Sequence, residues 1–316
     1  MLSKKTKISF ISARPKVLVI LGTTSAGKTG LAVKLAAKLG GEIISADSRQ
    51  VYKGMDIGTG KDLNEYIVKG KKIKYHLIDV VSPKQTFDLS KYQKLAFKAI
   101  EDVLSRGKLP IIVGGSGLYL QALVDNYKLT SVKPDLKKRA ILEKLSREEL
   151  LKKLEKEKPE FAARLNNSDK NNKRRLVRYL EIIETPGEEG NKKGESKYDY
   201  LVTGLNCPDD ILKVRILKRL NDRLEEGLVE EVKSLHREGV SFERLIGFGL
   251  EYKFVSQYIQ EKFEYEEMIT KLNTALYRFA KRQKTWFRRW EKQGQKIKWL
   301  KDLGEAEKVA IKWINS

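Results

Sequence analysis

The sequence Gly22-Thr23-Thr24-Ser25-Ala26-Gly27-Lys28-Thr29 matches the pattern G-x-x-x-x-G-K-[ST] at every fixed position. It follows an apolar, β-rich run at 17–21 and precedes a segment at 31–39 whose apolar residues recur at helical spacing. The glycines let backbone amides surround phosphate oxygens, Lys28 adds a positive charge, and the Thr29 hydroxyl suits Mg²⁺. An ordinary glycine turn is the alternative, but the strand–helix context favours a phosphate-binding loop (P-loop) for a diphosphate or a triphosphate.

The composition indicates a chain with a sizeable core and a polyanionic partner. The chain has 316 residues, 41% of them hydrophobic, which suits one large domain or two modest ones. Its 64 Lys and Arg residues against 42 Asp and Glu residues give a net charge of +22. This excess favours nucleic acid as the partner over a charge that serves solubility alone.

Cysteine, histidine and long apolar runs are scarce. The single cysteine, Cys207, excludes an internal disulfide, and one Cys with two His argues against a zinc site. No apolar run approaches the roughly 18 residues that span a bilayer. The basic stretch at 1–7 lacks the apolar segment and cleavage site of a signal peptide, so we expect a frayed arm there. We therefore expect a cytoplasmic monomer that does not bind membranes.

A carboxylate follows the second predicted strand. Residues 41–47 form an apolar, β-rich segment that ends at Asp47. In an open parallel sheet, functional groups gather at the carboxyl ends of the strands, so Asp47 and the P-loop should face one crevice. There Asp47 is a candidate general base; the alternative is an N-cap of the next helix.

Two further strands end in polar residues. Residues 75–79 predict a strand ending at Asp79, which either holds Mg²⁺ through water or is a turn residue, while His76 is expected to be structural. Residues 109–115 predict a strand that runs into a glycine turn. Ser116 then opens a helix and either caps it or binds a substrate in the crevice.

The alternation of strands and helices predicts an α/β fold: a P-loop parallel sheet core flanked by helices, with an inserted all-helical domain. Residues 134–184 have helical periodicity and dense charge without strand signals, and 200–205 resumes β character. We therefore predict a helical insertion at 126–198 within a catalytic core formed by 1–125 and 199–316. The turn-rich stretch 185–197 is expected to be a loop.

Arginines are aligned on two predicted helices. Residues 173–179 are basic with apolar residues on one face, which suits either phosphate contact or a solvated surface. Arg215, Arg219 and Arg223 are four residues apart and therefore share a face. They either clamp phosphate or pair with acidic residues on neighbouring turns.

A stretch near the C-terminus, 277–290, interleaves cations and aromatic residues at helical spacing. Arginine contacts phosphate and stacks on bases, as aromatic rings also do. We expect Phe279 and Trp286 to be buried, with the cations on the opposite face. Before this stretch, 245–249 predicts a glycine-broken turn, and after it 297–300 predicts a last edge strand.

Taken together, these residues resemble the tRNA dimethylallyltransferases, the isopentenyl transferases that modify tRNA. The resemblance spans most of the chain in the family's order. It rests on GTTSAGKTGLAV at 22–33, ISADSRQVYKGMDIGTGK at 44–61, HLIDVVSP at 76–83, PIIVGGSGLYLQAL at 110–123, RRLVRYLE at 174–181, RLNDRLEEGLVEEV at 219–232 and AKRQKTWFR at 280–288.

The resemblance implies that the P-loop binds dimethylallyl diphosphate rather than ATP, and that Mg²⁺ assists through Thr29. It implies transfer of the five-carbon group to N6 of the adenosine 3′ of the anticodon, in the tRNA anticodon stem-loop. By position, Asp47 matches the general base, Ser116 the hydroxyl that orients the amine, and Lys28, Thr29 and Arg219 the diphosphate contacts. The implied diphosphate-binding residues are Gly22, Thr23, Thr24, Ser25, Ala26, Gly27, Lys28 and Thr29, and the implied tRNA-binding residues are Asp47, Ser48, Arg49, Gln50, Ser116, Arg139, Arg174, Arg175, Arg178, Gly247, Lys281 and Arg282.

The chain departs from the family's pattern at several of these places. Ser116 stands where the family usually has Thr, and the hydroxyl is retained. Gly60 replaces a usual Ala, Gly117 a usual Met, and Arg223 an apolar Met. The stretch 248–251 (FGLE) replaces a Tyr-centred turn.

Other functions remain possible from the residues alone. A P-loop kinase would use Asp47 as base and Asp79 on Mg²⁺, but it leaves the net charge and the arginine–aromatic helix without a role. A transferase acting on free adenine nucleotides would need no grip on tRNA. A nucleic-acid-binding NTPase or structural RNA protein would not need Asp47 for its function.

Overall fold

The computed structural model describes residues 14–130, 132–184 and 192–316. The chain divides into two compact units. The larger unit is formed by the chain up to Val124 and from Ser196 onward, and the smaller one by Asp125–Glu195. The expectations for residues 1–7 and for 185–191 fall outside the described residues.

A six-stranded parallel sheet forms the centre of the larger unit. The strands in chain order are β1 (Lys16–Gly22), β2 (Gly41–Ser45), β3 (Ile67–Val68), β4 (Lys71–Lys72), β5 (Tyr75–His76), β6 (Leu109–Gly114), β7 (Asp199–Leu205) and β8 (Lys298–Leu300). The sheet order is β5-β2-β6-β1-β7-β8, and β3 and β4 form a separate antiparallel hairpin. Since β7 pairs with β1 along its whole length, the chain rejoins the centre of the sheet after the helical unit. The predicted parallel sheet and the last edge strand are confirmed.

Helices make up most of the remaining described chain. In chain order they are α1 (Lys28–Leu39), α2 (Leu89–Ser105), α3 (Gly117–Val124), α4 (Leu136–Leu142), α5 (Arg147–Glu157), α6 (Pro159–Ala163), α7 (Asn167–Lys170), α8 (Lys173–Ile183), α9 (Asp209–Glu225), α10 (Leu228–Arg237), α11 (Phe242–Gly247), α12 (Leu250–Ile259), α13 (Tyr265–Lys292) and α14 (Leu303–Ile314). A 3₁₀ turn covers Leu63–Tyr66. Among the described residues, no helix combines the length and hydropathy of a bilayer-spanning segment.

Strand β1 is buried on both faces, which explains its unbroken apolar sequence. Val17, Val19 and Leu21 point to one face, in the cluster that contains core residues of α2, α3 and α13. Leu18 and Ile20 point to the other face, in the cluster that contains residues of α1 and α14. The two-layered core fixes the carboxyl end of β1, and with it the start of the P-loop.

The helical unit has its own small core. Leu142, Leu150, Leu154, Leu176 and Leu180 are buried together within it. Helix α5 begins with a capping box, in which Ser146 and Glu149 satisfy each other's backbone amides. The unit covers 125–195 by its contacts, against 126–198 in the sequence-based prediction.

Two predicted elements are wrong in extent. The strand expected over 75–79 stops at His76, because Leu77 and Asp79 adopt left-handed backbone angles (φ 63° and 57°) that cannot continue a strand. The turn expected over 245–249 is largely helical. Ser241 caps α11 by accepting the amide of Arg244 (3.3 Å), and the helix runs to Gly247. Phe248 and Gly249 (φ 149°) separate it from α12.

Candidate active site

The P-loop leaves β1 and enters α1 with backbone geometry suited to an anion. Ser25 and Gly27 both have left-handed backbone angles (φ 58° and 85°), and Gly27 adopts its angle without steric cost. Helix α1 then begins at Lys28, so its free N-terminal amides lie at the same place. The Lys28 ammonium donates to the carbonyl of Thr23 (3.2 Å).

The residues predicted to meet in one crevice do so. Lys28 and Thr29 line a cavity of about 220 Å³ together with Asp47, Ser116 and Arg219. The cavity lies at the carboxyl ends of β1, β2 and β6, the three central strands that carry the P-loop, Asp47 and Ser116. Of the other P-loop residues, Thr24 also lines this cavity, and Ser25 and Gly27 line a neighbouring one. The remaining three, Gly22, Thr23 and Ala26, are buried.

Asp47 is half-buried in this cavity and does not cap a helix, since no helix begins between 46 and 62. Its Oδ1 accepts the backbone amide of Arg49 (2.8 Å), which fixes the carboxylate as an Asx turn does. Its Oδ2 has no hydrogen-bond partner among the described residues. The expected alternative of an N-cap is therefore wrong, and one carboxylate oxygen is available to a ligand.

Ser116 lies beside Asp47. Its Oγ accepts the backbone amide of Ser48 (3.3 Å), so the turn after β2 orients the hydroxyl, while the first amides of α3 bond to the backbone carbonyl of Ser116. The hydroxyl proton remains available for donation. A group that contacts Asp47 is therefore within reach of Ser116.

Burial and, next, the charge of the neighbouring Arg219 lower the pKa of Lys28 to about 8, while Asp47 opposes the shift. An ammonium at this position lacks enough negative charge around it. An anionic ligand between Lys28 and Arg219 would restore that charge balance.

The three aligned arginines of α9 have different surroundings. Arg219 lines the cavity and pairs with Asp62 (2.5 Å). Arg223 also lines the cavity and pairs with Glu251 (2.9 Å), whereas Arg215 is exposed and outside this cavity. The ion-pairing alternative therefore holds for Arg219 and Arg223, and their place in the cavity wall leaves the phosphate-clamp alternative open.

Sequence reasoning missed Gln283, a buried residue of α13. Its Oε1 accepts the P-loop amide of Thr24 (2.9 Å), and its Nε2 donates to the carbonyl of Gly115 (2.9 Å). One side chain thus joins the P-loop to the turn before Ser116. Its helical phase could have revealed it. Gln283 is a polar residue on the same apolar face of α13 as the buried Leu276.

Phe279 is not buried as expected. Its side chain is 38% exposed and lines the cavity with Leu276, Leu250 and Phe248. The helical period predicts which face of α13 meets the core, but it does not reveal that the edge of this face borders a cleft. Trp286 is half-buried and is close enough to Gly117 that a Cβ there would overlap its ring.

The residues that the resemblance assigns to tRNA fall into two groups in the larger unit. Ser48, Arg49 and Gln50 line the cavity. Lys281 and Arg282 are exposed on α13, whereas Gly247 ends α11 and does not line the cavity.

In the helical unit, most of the assigned arginines are paired. Arg139 binds the buried Glu181 through two bonds (2.6 and 2.9 Å), and Arg178 binds the same carboxylate (2.9 Å). Arg175 pairs with Asp169 (2.7 Å). Arg174 is exposed and has no ion pair among the described residues.

The possible metal ligands are few. Asp79 does not line the cavity and pairs with the buried Lys61. It is therefore not positioned as a metal ligand at this site. Within the described chain no group of three His, Cys, Asp or Glu residues could hold a metal ion. Thr29 and Asp47 both line the cavity. This donor set fits Mg²⁺ held mainly by ligand phosphate oxygens and water, the way Mg²⁺ usually binds.

The fold and the cavity define a P-loop α/β protein whose phosphate loop faces a carboxylate across one cleft. A family model described as IPP transferase matches residues 50–290. A protein from Syntrophus aciditrophicus (strain SB), named tRNA dimethylallyltransferase 1, is 46% identical over 300 residues, which cover 94% of this chain and 97% of that protein. The chain belongs to the IPP transferase family.

Solved structures agree in fold over nearly the whole chain. The tRNA isopentenylpyrophosphate transferase of Bacillus halodurans matches with a TM-score of 0.67 and 34% identity, over 96% of both chains. A eukaryotic dimethylallyltransferase described as acting on tRNA matches with a TM-score of 0.76 and 29% identity, over 94% of this chain and 78% of that one.

Proposed function

We propose that the protein transfers the dimethylallyl group of dimethylallyl diphosphate to N6 of the adenosine 3′ of the anticodon in tRNA, releasing diphosphate. The observation that carries the proposal is the joint placement of Lys28 and Asp47 in one cavity. The names of the relatives support the substrate pair. The kinase alternative is disfavoured because Asp79 is engaged with Lys61 outside the cavity.

The P-loop end of the cavity binds the leaving group. As the allylic carbon–oxygen bond breaks, negative charge grows on the diphosphate. Lys28, Arg219 and the amides at the start of α1 are already fixed there, so they stabilise this charge without reorganising. Mg²⁺, held by the diphosphate and by the Thr29 hydroxyl, would add further positive charge beside the leaving group.

The Asp47 end binds the nucleophile. An exocyclic adenine amine is a poor nucleophile, because its lone pair is delocalised into the ring. Asp47 Oδ2 takes one N6 proton as the nitrogen–carbon bond forms, and Ser116 Oγ orients the amine. General-base assistance of this kind contributes about 10²–10⁴-fold in rate.

The apolar part of the cavity lining suits the five-carbon group. Phe248, Leu250, Leu276 and Phe279 line the cavity. They keep water away from an allylic carbon that would otherwise be hydrolysed. The cleft therefore has a place for each of the three reacting parts: diphosphate, prenyl chain and amine.

The basic surface supports binding of the RNA. The target base must leave its stack, at a cost of a few kcal/mol. Exposed cations of α13 such as Lys281 and Arg282, and Arg174 of the helical unit, can offset this cost by contacting backbone phosphates. We propose that the protein acts as a cytoplasmic monomer on the anticodon stem-loop.

The direct test is an incubation of the protein with tRNA, Mg²⁺ and labelled dimethylallyl diphosphate, followed by mass analysis of the tRNA nucleosides. Parallel incubations contain labelled ATP with tRNA, or AMP in place of tRNA. We expect a prenylated adenosine only with tRNA and the allylic diphosphate. Label transfer from ATP would support the kinase, and prenylated AMP would support a transferase for free nucleotides.

A further inference from the structure

Arg223 is a buried arginine in the wall of the cavity. Only 7% of its surface is exposed. Its Nη1 binds Glu251 Oε1 (2.9 Å), but its Nε is buried and has no hydrogen-bond partner among the described residues. An unpaired donor on a buried guanidinium is costly unless a ligand uses it.

The guanidinium lies close to the P-loop. Arg223 lines the cavity that contains Lys28 and Thr29, and it also lines a small adjoining cavity with Thr24 and Ser25. Its charge acts on Lys28, because it is among the causes that lower the pKa of that ammonium. The same anion that contacts the P-loop is therefore within its range.

The neighbouring backbone leaves space for Arg223. Gly60 has a left-handed backbone angle (φ 61°), and a Cβ built on it would overlap Nη2 of both Arg223 and Arg219. The carbonyl of Gly60 also accepts a bond from Arg219 (3.4 Å) and from Gln50 (2.9 Å). The glycine thus permits two guanidinium groups to lie side by side at the cavity.

The three cations of the cavity, Lys28, Arg219 and Arg223, have two pairing carboxylates between them. Burial and the charge of Arg219 both lower the pKa of Arg223. Asp62 pairs with Arg219 and Glu251 with Arg223, which leaves Lys28 without an acidic partner in an ion pair among the described residues. A diphosphate would supply the negative charge that Lys28 lacks, beside the two guanidinium groups.

We propose that Arg223 is a second arginine that binds the diphosphate, and that Glu251 is the counter-ion of its guanidinium, with which the bound diphosphate competes. This inference rests on the proposed function, since it assigns one more contact to the same leaving group. The guanidinium N–H groups that Glu251 does not use are the donors. When diphosphate binds, it shares Arg223 with Glu251.

The test uses inorganic pyrophosphate as the probe and calorimetric titration of the full-length protein. Arg223→Met removes the charge and retains most of the volume, and we expect the pyrophosphate Kd to rise about 10- to 100-fold, the range for a lost charge-assisted bond. Glu251→Gln removes the competing carboxylate, and we expect the Kd to fall severalfold. A merely structural ion pair would weaken binding in both variants or in neither.

Two further variants address folding. Arg223→Met leaves Glu251 without its partner, which can destabilise the protein. The double variant Arg223→Met/Glu251→Gln removes both charges, and we expect it to unfold near the wild-type temperature yet still bind pyrophosphate weakly. Arg237→Met, an exposed arginine at the end of α10 that lines no part of the cavity, is the matched control.

The outcomes separate this inference from the proposed function. Wild-type affinity for pyrophosphate in the folded double variant, or weaker binding by Glu251→Gln, would overturn the role of Arg223 and leave the proposed function intact. Failure of the wild-type protein to bind pyrophosphate at all would overturn both. Binding of an anticodon stem-loop RNA should not change in any of these variants.

Discussion

The cations of the cavity and those of the helical unit are paired differently. In the cavity, Arg219 pairs with Asp62 and Arg223 with Glu251, while Lys28 has no ion pair among the described residues. In the helical unit, the guanidinium groups of Arg139 and Arg178 both bind the one buried carboxylate of Glu181. Each group has one more cation than pairing carboxylates. The unpaired cation of the cavity, Lys28, lines a cleft, whereas both arginines of the helical unit are bonded to their carboxylate.

This comparison bears on how tRNA residues are assigned from sequence. A basic helix face looks the same in sequence whether its arginines meet phosphate or a neighbouring helix. In the helical unit, Arg139 joins α4 to Glu181 of α8, so its first role is structural. Arg174 of α8 is exposed and has no ion pair among the described residues, so it is a better candidate for RNA contact than Arg139.

The largest effect is expected at the carboxylate of the cavity. Asp47→Asn keeps the size of the side chain and removes the base, so kcat should fall about 10²–10⁴-fold. Single-turnover transfer to tRNA measures this loss, and filter binding measures tRNA affinity, which should stay near the wild-type value. Asp102→Asn, at an exposed site on α2, serves as control. Wild-type-like transfer by Asp47→Asn would falsify the assignment of the base.

In the helical unit, loss of the shared carboxylate should lower the stability of the protein rather than its transfer activity. Glu181→Gln removes the charge that binds Arg139 and Arg178, and we expect the free energy of unfolding to fall by about 1–3 kcal/mol. Denaturant unfolding monitored by circular dichroism checks this, with the exposed Glu155→Gln on α5 as control. A Glu181→Gln protein with wild-type stability and reduced RNA affinity would contradict the structural role of this cluster and indicate a role in RNA binding.

The same carboxylate predicts a pH dependence of stability. Hydrogen bonds and charge from Arg139 and Arg178 hold the pKa of Glu181 below its ordinary value, against the opposing effect of burial. The stabilisation is therefore present above the ordinary pKa of a glutamate and is lost as the pH falls through the lowered value. Unfolding measured across the acidic range should show a loss that Glu181→Gln lacks.

In the cavity, pH should act on binding through Lys28. Its pKa of about 8 means that the ammonium is largely neutral above that pH, and the neutral form attracts diphosphate less. We expect kcat/KM for dimethylallyl diphosphate to fall as the pH rises through about 8, by up to tenfold per pH unit where this single proton limits binding. Lys28→Arg, which stays charged, should abolish the decline. An unchanged decline in that variant would assign it to another group.

The smallest effect is expected at Arg174. Arg174→Gln removes one exposed cation, so RNA affinity should fall only a few-fold and the salt dependence of binding should lose about one counterion. Binding to an anticodon stem-loop at several salt concentrations measures both quantities. Lys152→Gln on α5, outside the stretches that carry the resemblance, is the control. Equal effects in the two variants would mean that the helical unit offers only a diffuse positive field.

The sequence was sufficient to predict those features that are determined by short contiguous segments of the chain. The P-loop motif, the apolar strands and the rule that sites lie at strand ends together predicted that Lys28 and Asp47 share a crevice. The helical insertion was visible because its periodicity differs from that of the flanking strands. Each of these signals is local, and none requires knowledge of which distant segments touch.

The rest depended on contacts between distant segments. Gln283 reaches the amide of Thr24 across 259 positions of the chain, and nothing in either local sequence pairs them. Gly60 was visible only as a departure from a family pattern, and its reason appears when Arg223 is found beside it. Phe279 was expected in the core because helical phase does not distinguish a core from the wall of a cleft.

The most direct measurement is a crystal structure of the protein with an anticodon stem-loop RNA and pyrophosphate. We predict pyrophosphate on the P-loop amides and Lys28, and the extruded adenine with N6 about 3 Å from a carboxylate oxygen of Asp47. An adenine bound elsewhere, with Asp47 facing solvent or protein, would contradict the account.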